Sequence, residues 1–160
     1  MKLNPNLKYM NPIVLYYSRT GTTKEVGEYI AKQLNCKSVE IIDLKKRIGP
    51  LCYIFGGYEA MKRKLTQIAK INENVFEYDL VIIGTPVWGS NMTPAVRTFL
   101  AQNPLQKVAF FCTAGGEKPG LTFYEMEKIS ATPKATLFLR TSEVKQGKYK
   151  DLADAFIKKL

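Results

Sequence analysis

The stretch Ile13-Val14-Leu15-Tyr16-Tyr17-Ser18-Arg19-Thr20-Gly21-Thr22-Thr23-Lys24 changes character twice, and its reading decides the fold. Ile13 to Tyr17 is a short apolar run rich in β formers. It stops at a segment of hydroxyl residues around a single glycine. From Lys24 the period becomes helical, with Val26, Tyr29, Ile30, Gln33 and Leu34 spaced for one face. The pattern predicts strand, loop and helix, with a polar loop at the end of a buried strand.

The same alternation continues outward. Val39 to Ile42 reads as a second strand, and Leu80 to Gly84 as a third, apolar on both faces as in a parallel sheet covered by helices on each side. Pro94 stands where the first turn of a helix tolerates it, ahead of Ala95 to Leu100. Val108 to Cys112 and Ala135 to Leu139 repeat the apolar strand pattern. Tyr149 to Leu160 is expected to close the chain as one amphipathic helix, with Leu152, Ala155, Phe156 and Lys159 on successive turns. Leu51 to Phe55 and Gly56-Gly57 read as a lead-in to a helix from Tyr58 to Ala69, which is either the second crossover or a lid for a partner or substrate. Strands alternating with helices indicate an open, doubly wound α/β sheet of five parallel strands. Ligands of such sheets sit beyond the carboxyl ends of the strands at the topological switch point, so function is expected in the loops after strands one, three and four.

Composition narrows the chemistry. A chain of 160 residues is expected to form one domain, and 46% hydrophobic with 24% charged residues excludes disorder, collagen and a disulfide scaffold. There is no histidine, which removes Ser-His-Asp and Cys-His catalytic units and His-ligated metals. Cys36, Cys52 and Cys112 are far apart with no C-x-x-C, so no metal site is expected, and the usage fits a reducing, cytoplasmic setting. Residues 1–12, with Asn4, Pro5, Asn6, Asn11 and Pro12, read as a flexible tail before a domain over 13–160. No apolar run approaches the ~18 residues of a membrane span, and no membrane partner is expected. The net charge is +10, but each half of the chain carries +5, and the densest runs, Lys45-Lys46-Arg47 and Lys62-Arg63-Lys64, are short. That distribution describes a solvated cationic surface rather than a nucleic-acid face.

Three loops carry the candidate chemistry. Ser18, Thr20, Thr22 and Thr23 surround a helix start, where free backbone N–H groups and the helix dipole seat an anion; several short hydroxyls suit a phosphate monoester. Plain N-capping by Thr22 or Ser18 is the alternative. Thr85-Pro86-Val87-Trp88-Gly89 holds the only tryptophan, a flat stacking surface for a planar ligand or a cover for the sheet edge. Thr113-Ala114-Gly115-Gly116 has little bulk, so its N–H groups can approach a flat ring; alone it would be a turn. Neither G-x-x-x-x-G-K-[ST] nor G-x-G-x-x-G occurs in the first loop.

Together these loops resemble those of the flavodoxin-like family of FMN-binding proteins. Y-S-R-T-G-T-T at 17–23 is similar to its phosphate loop, T-P-V-W-G with P-A-V at 94–96 to its second flavin loop, and C-T-A-G-G at 112–116 stands in the place of its third. The resemblance implies the strand order 2-1-3-4-5 and FMN as cofactor. It implies that Ser18, Thr20, Gly21, Thr22 and Thr23 hold the FMN phosphate, with Arg19 contributing mainly backbone. Thr85, Pro86, Val87, Trp88 and Gly89 would border the isoalloxazine and ribityl chain, and Thr113, Ala114, Gly115 and Gly116 the pyrimidine edge. It implies electron transfer through the flavin without a catalytic acid or base, either as a carrier for a redox protein partner or as a reductase of a quinone or similar small molecule, with NAD(P)H as a candidate donor, in a monomer or homodimer. The third loop lacks the aromatic residue of electron-carrier flavodoxins, and the +10 charge contrasts with their acidity. Both departures move the expectation towards the reductase. The alternative is a module of the same fold without redox work, binding a phosphate ligand, or a partner through Tyr53-Ile54-Phe55.

Overall fold

The computed structural model describes residues 10–47, 49 and 51–160, apart from the side chains of Cys52 and Tyr53. Its sheet begins with β1 (Pro12–Tyr16), which is buried throughout and pairs in parallel with β2 (Lys37–Glu40) on one side and β3 (Leu80–Trp88) on the other. β5 (Val108–Ala114) lies parallel to β3, and β6 (Thr136–Arg140) parallel to β5. The parallel path is therefore β2-β1-β3-β5-β6, the expected five-strand order. One addition was not foreseen: β4 (Asn91–Met92) folds back antiparallel on Val87 and Trp88 at the end of β3.

The sheet is covered on both faces because alternate side chains of each central strand point to opposite sides. Val14, Leu80, Ile82, Phe111 and Leu137 meet α1 (Thr22–Leu34) and α6 (Tyr149–Ile157). Ile13, Leu15, Val81, Ile83 and Phe110 meet α3 (Pro94–Gln102) and Met126 of α4 (Thr122–Ile129). Burial of both faces is why β3 and β5 read as unbroken apolar runs. Pro94 occupies the first turn of α3, capped by the Thr93 hydroxyl on the Val96 N–H.

Several boundaries differ from the sequence reading. Residues 1–9 of the expected tail lie outside the described residues; Pro12 already belongs to β1, and the Asn11 N–H donates to Asp79 Oδ2 at 2.9 Å. Thr85 to Trp88, Thr113 and Ala114 are strand rather than loop, since β3 and β5 stay paired as far as Pro86 and Thr113. The crossover helix expected over 58–69 is α2 (Leu51–Met61), which runs through Gly56-Gly57. A turn at Lys62 and Arg63 ends it, and the non-helical residues that follow are held by the Asp43–Ile68 bridge and by Thr66, whose N–H donates to Thr98 Oγ1 at 2.9 Å. A short helix that was not foreseen, α5 (Thr141–Lys145), precedes the closing helix and is separated from it at Gly147, whose φ of 70° lies in the left-handed region; the closing helix itself is α6, Tyr149–Ile157 where 149–160 was expected. Its buried face is Tyr149, Ala153, Phe156 and Ile157, with Leu160 beyond; Leu152, Ala155 and Lys159 face solvent, because Tyr149 sets the phase.

Glu125 of α4 locks the α3–α4 side together. Its carboxylate, in a residue 3% exposed, accepts from Arg63 Nε at 2.8 Å, Arg63 Nη2 at 2.9 Å and Arg97 Nη2 at 3.2 Å, and Arg97 Nη2 also donates to Asn91 Oδ1 at 3.0 Å. The hydrogen bonds from Arg63, and then those from Arg97, hold the Glu125 carboxyl down at about 2. A carboxyl depressed in the folded state stabilises it above the unfolded value of ~4.3 and loses that contribution as pH falls towards 2. Glu125→Gln should therefore lower the urea midpoint at pH 7 and flatten its decline between about pH 5 and 2. A parallel decline in wild type and variant would show that Glu125 is not the group responsible.

Gly84 tests the central packing. A Cβ built there would lie 2.0 Å from Phe111 Cζ, so the Phe111 ring sits on β3 only because Gly84 has no side chain. Gly84→Ala should cost about 1–3 kcal/mol by urea denaturation, the usual price of overpacking a core. A loss within ~0.5 kcal/mol would mean that the ring has room to move.

Candidate functional site

Strand register assembles the site. Tyr16 is level with Gly84, Thr85 with Cys112, and Pro86 with Thr113, so the carboxyl ends of β1, β3 and β5 finish side by side. A cleft of about 520 Å³ opens there, within the ~300–1,000 Å³ of small-ligand sites. Eleven of the fifteen expected residues line it: Arg19, Thr20, Thr22, Thr23, Pro86, Val87, Trp88, Gly89, Thr113, Ala114 and Gly115. A depression of about 650 Å³ at the opposite end of the sheet is bounded by Met10, the first described residue, and has none of the three loops.

The other four expected residues stand apart from the lining. Gly21 is the N-cap of α1 and supplies no side-chain hydrogen bond; the first turn closes by Glu25 N–H donating to the Gly21 carbonyl at 2.9 Å. The capping alternative for Ser18 and Thr22 is thereby removed. Ser18 Oγ is buried and has no hydrogen-bond partner among the described residues, a state that usually marks a group awaiting a ligand or water. Thr85 turns inward: fully buried, its Oγ1 donates to the Pro86 carbonyl at 2.9 Å and accepts from the Thr93 N–H at 3.2 Å, fastening β3 to the cap of α3. Gly116 lies past the rim, exposed.

Thr23 and Thr113 join the first loop to the third. Their hydroxyls are 2.8 Å apart and buried at 1% and 2% exposure, so the head of α1 and the end of β5 form one floor. Cys112 lies directly beneath, fully buried, and burial pushes its thiol far above its usual range, so it carries no reactive thiolate.

Trp88 forms the opposite wall. Its half-buried indole meets the Tyr17 ring edge-on, centroids 5.6 Å apart, and the Arg47 guanidinium lies over it at 5.3 Å. Arg47 is itself fixed by Asp43 at 2.6 Å and Glu59 at 2.8 Å, with Lys45 on the second Glu59 oxygen. The two glycines of α2 belong to this arrangement. A Cβ on Gly56 would come within 2.9 Å of Trp88 Cζ3, while Gly89, at φ 51°, passes so close to Gly57 that its own Cβ would meet the Gly57 carbonyl oxygen at 2.3 Å. The helix can therefore rest on the tryptophan loop only through glycine.

Three further residues line the cleft that the sequence reading missed: Gly57, Thr141 and Lys145. Thr141 follows the carboxyl end of β6, and Lys145 is one turn on along α5. The rule that ligands sit beyond strand ends pointed there too, had it been extended to the last strand. With Arg19, Lys145 makes the rim cationic, and among the described lining residues there is no carboxylate. Cations, hydroxyls, the unpaired N–H groups of the first turn of α1 and the orphaned Ser18 hydroxyl fit a phosphate; the Pro86–Trp88 wall fits a flat ring.

Fold and cleft together define a flavodoxin-like α/β protein. Residues 13–140 match the family described as NADPH-dependent FMN reductase, and the chain belongs to that family. Its function is accordingly FMN-dependent redox chemistry, with FMN as the cofactor. Solved structures share the fold. A protein from Bacteroides eggerthii DSM 20697 described as a flavoprotein is 21% identical, with a TM-score of 0.71 over 90% of this chain and 98% of that one. A flavoprotein from Lactobacillus acidophilus NCFM, determined in complex with FMN, is 22% identical, with a TM-score of 0.68 over 86% and 97%. The two-electron reduced flavodoxin of Megasphaera elsdenii is 18% identical, with a TM-score of 0.58 over 92% and 98%. Among the described residues, no helix is long and apolar enough to cross a membrane.

The indole clamp makes a prediction. Arg47→Met removes a buried cation from two carboxylates and from the Trp88 face, and should cost about 3–5 kcal/mol, the scale of breaking a buried pair. Emission from Trp88, the only tryptophan, should shift at the same time under native conditions. Unchanged emission would mean that the ring is held by Tyr17 and Gly56 alone.

Proposed function

We propose that this protein is a cytoplasmic FMN-dependent reductase, in which residues 13–160 form one domain that holds FMN in the cleft and passes electrons from a reduced nicotinamide to a small-molecule acceptor. The family's description supports NADPH as the donor. The observation that carries the reading is the cleft itself, with anion-seating groups at the head of α1 and a flat wall at Trp88 on one continuous floor.

In this reading Ser18, Thr20, Thr22, Thr23 and the N–H groups of the first turn of α1 hold the phosphate, and Ser18 Oγ gains the partner that none of the described residues gives it. Arg19 and Lys145 at the rim add positive charge. Pro86, Val87, Trp88 and Gly89 flank the ring system, while Thr113, Ala114 and Gly115 face its pyrimidine edge. Thr85, Gly21 and Gly116 support these segments from behind or beside them. Bound FMN supplies the redox chemistry, accepting a hydride equivalent and passing electrons on. The chain's own groups bind, orient and exclude water. The binding of FMN by the Lactobacillus acidophilus flavoprotein supports the cofactor's place on this fold. The reductase is favoured over an electron carrier because residues 113–116 bring no aromatic ring to cover a second flavin face, which leaves room for a small substrate.

Affinity tests the phosphate seat. FMN should bind far more tightly than riboflavin, and Thr20→Ala or Thr22→Ala should each weaken FMN by about 1–3 kcal/mol, the scale of a hydrogen bond to a charged group, leaving riboflavin nearly unchanged. Equal losses for both ligands, measured by fluorescence titration, would move the phosphate elsewhere. FMN-loaded protein should oxidise NADPH and reduce a soluble quinone. Failure with NADPH and NADH alike would favour a carrier, and failure to retain FMN would leave a phosphate-binding module without redox work.

A further inference from the structure

The outward face of α2 is bare. Leu51, Ile54, Phe55, Tyr58 and Met61 follow the i, i+3, i+4, i+7, i+10 spacing of one helix face, and each is between 48% and 69% exposed. Over eleven residues that makes an apolar ridge ~16 Å long, far more than the single exposed side chains of an ordinary surface. The inner face of the same helix is the one that rests on Trp88 and Gly89 and lines the cleft through Gly57.

Charge selects the occupant. Exposed Lys46 precedes the helix and exposed Lys62 and Lys64 follow it, their ammonium groups in the latter pair 5.9 and 5.4 Å from the Tyr58 ring centroid. The nearby acids, Asp43 and Glu59, are already held by Arg47 and Lys45. The ridge is therefore apolar with a cationic rim at both ends. A second copy of the chain would bring the same lysines and another +10 against it. An apolar ridge with lysines at both ends fits a surface that is apolar at depth and anionic at its boundary, as an anionic bilayer is.

We propose that α2 docks this protein on an anionic lipid bilayer, lying in the interface with its apolar face at the headgroup–acyl boundary and its lysines among the lipid phosphates. The sequence reading expected no membrane partner because no segment can span a bilayer; a helix lying on the surface needs no such segment. The docking does not depend on the bound cofactor, so its failure leaves the flavin reading untouched.

The test is co-sedimentation of the FMN-loaded protein with vesicles of phosphatidylglycerol mixed with phosphatidylcholine, against vesicles of phosphatidylcholine alone. Binding should be confined to the anionic vesicles and weaken with added salt. Ile54→Asp with Phe55→Asp should weaken it at least about tenfold, since two large apolar side chains no longer leave water. Lys62→Glu with Lys64→Glu should weaken it several-fold and reduce its salt dependence. All four positions are exposed, so thermal melting and FMN affinity should stay as in the wild type. Absence of binding to the anionic vesicles, equal binding to both vesicle types, or binding that survives Ile54→Asp with Phe55→Asp would each overturn the proposal. So would self-association in sedimentation that Ile54→Asp abolishes, which would assign the ridge to a second copy.

Discussion

Two neighbouring strands whose connections leave in opposite directions are the constraint on which this structure depends. From β1 the chain crosses through α1 to β2 at one edge; from β3 it crosses through α3 to β5 on the way to the other. No connection can cover the gap between them, so a crevice is left above the carboxyl ends of the strands. The parallel register then decides what faces it, because Gly84 is level with Tyr16 and Pro86 with Thr113. The side chains beneath, fully buried on both faces, fix that register against slippage.

The cleft is built from two kinds of support. Its floor is polar and internally satisfied through the Thr23–Thr113 contact, while its far wall is a ring held by a cation, a second ring and a helix without side chains at the point of contact. The ion pairs behind Arg47 matter less for their own energy than for holding the guanidinium in place, since buried pairs largely spend their attraction on lost hydration.

Much of the fold was legible because helix and strand periods alternate cleanly and both inner strands are apolar without interruption. The first loop was legible because four hydroxyl residues flank one glycine between those periods. What escaped the sequence escaped for local reasons. Gly56-Gly57 argued for a break in a helix, yet Trp88 and Gly89 occupy the space that side chains there would need, and that contact lies far away in sequence. Thr85 looked like a ligand-facing hydroxyl, but its partner Thr93 is brought near only by the β4 turn. Leu152 and Ala155 share a face by spacing alone, yet the side of α6 that meets the sheet is the one carrying Tyr149, Ala153, Phe156 and Ile157, because those large side chains pack against the core. Lys145 and Thr141 carry no motif at all and reach the cleft through the geometry of the last strand.

β3 runs without interruption from the middle of the core to the tryptophan wall, and this continuity divides the molecule dynamically. Residues Val81 to Gly84 are paired on both sides, with β1 and with β5, and their amide groups exchange with solvent only when the whole sheet comes apart. The outward half of α2 has no such anchorage and belongs to the part of the molecule that opens locally. One side of the cleft is thus as durable as the fold, while the other can loosen and re-form many times in the lifetime of a single folded chain.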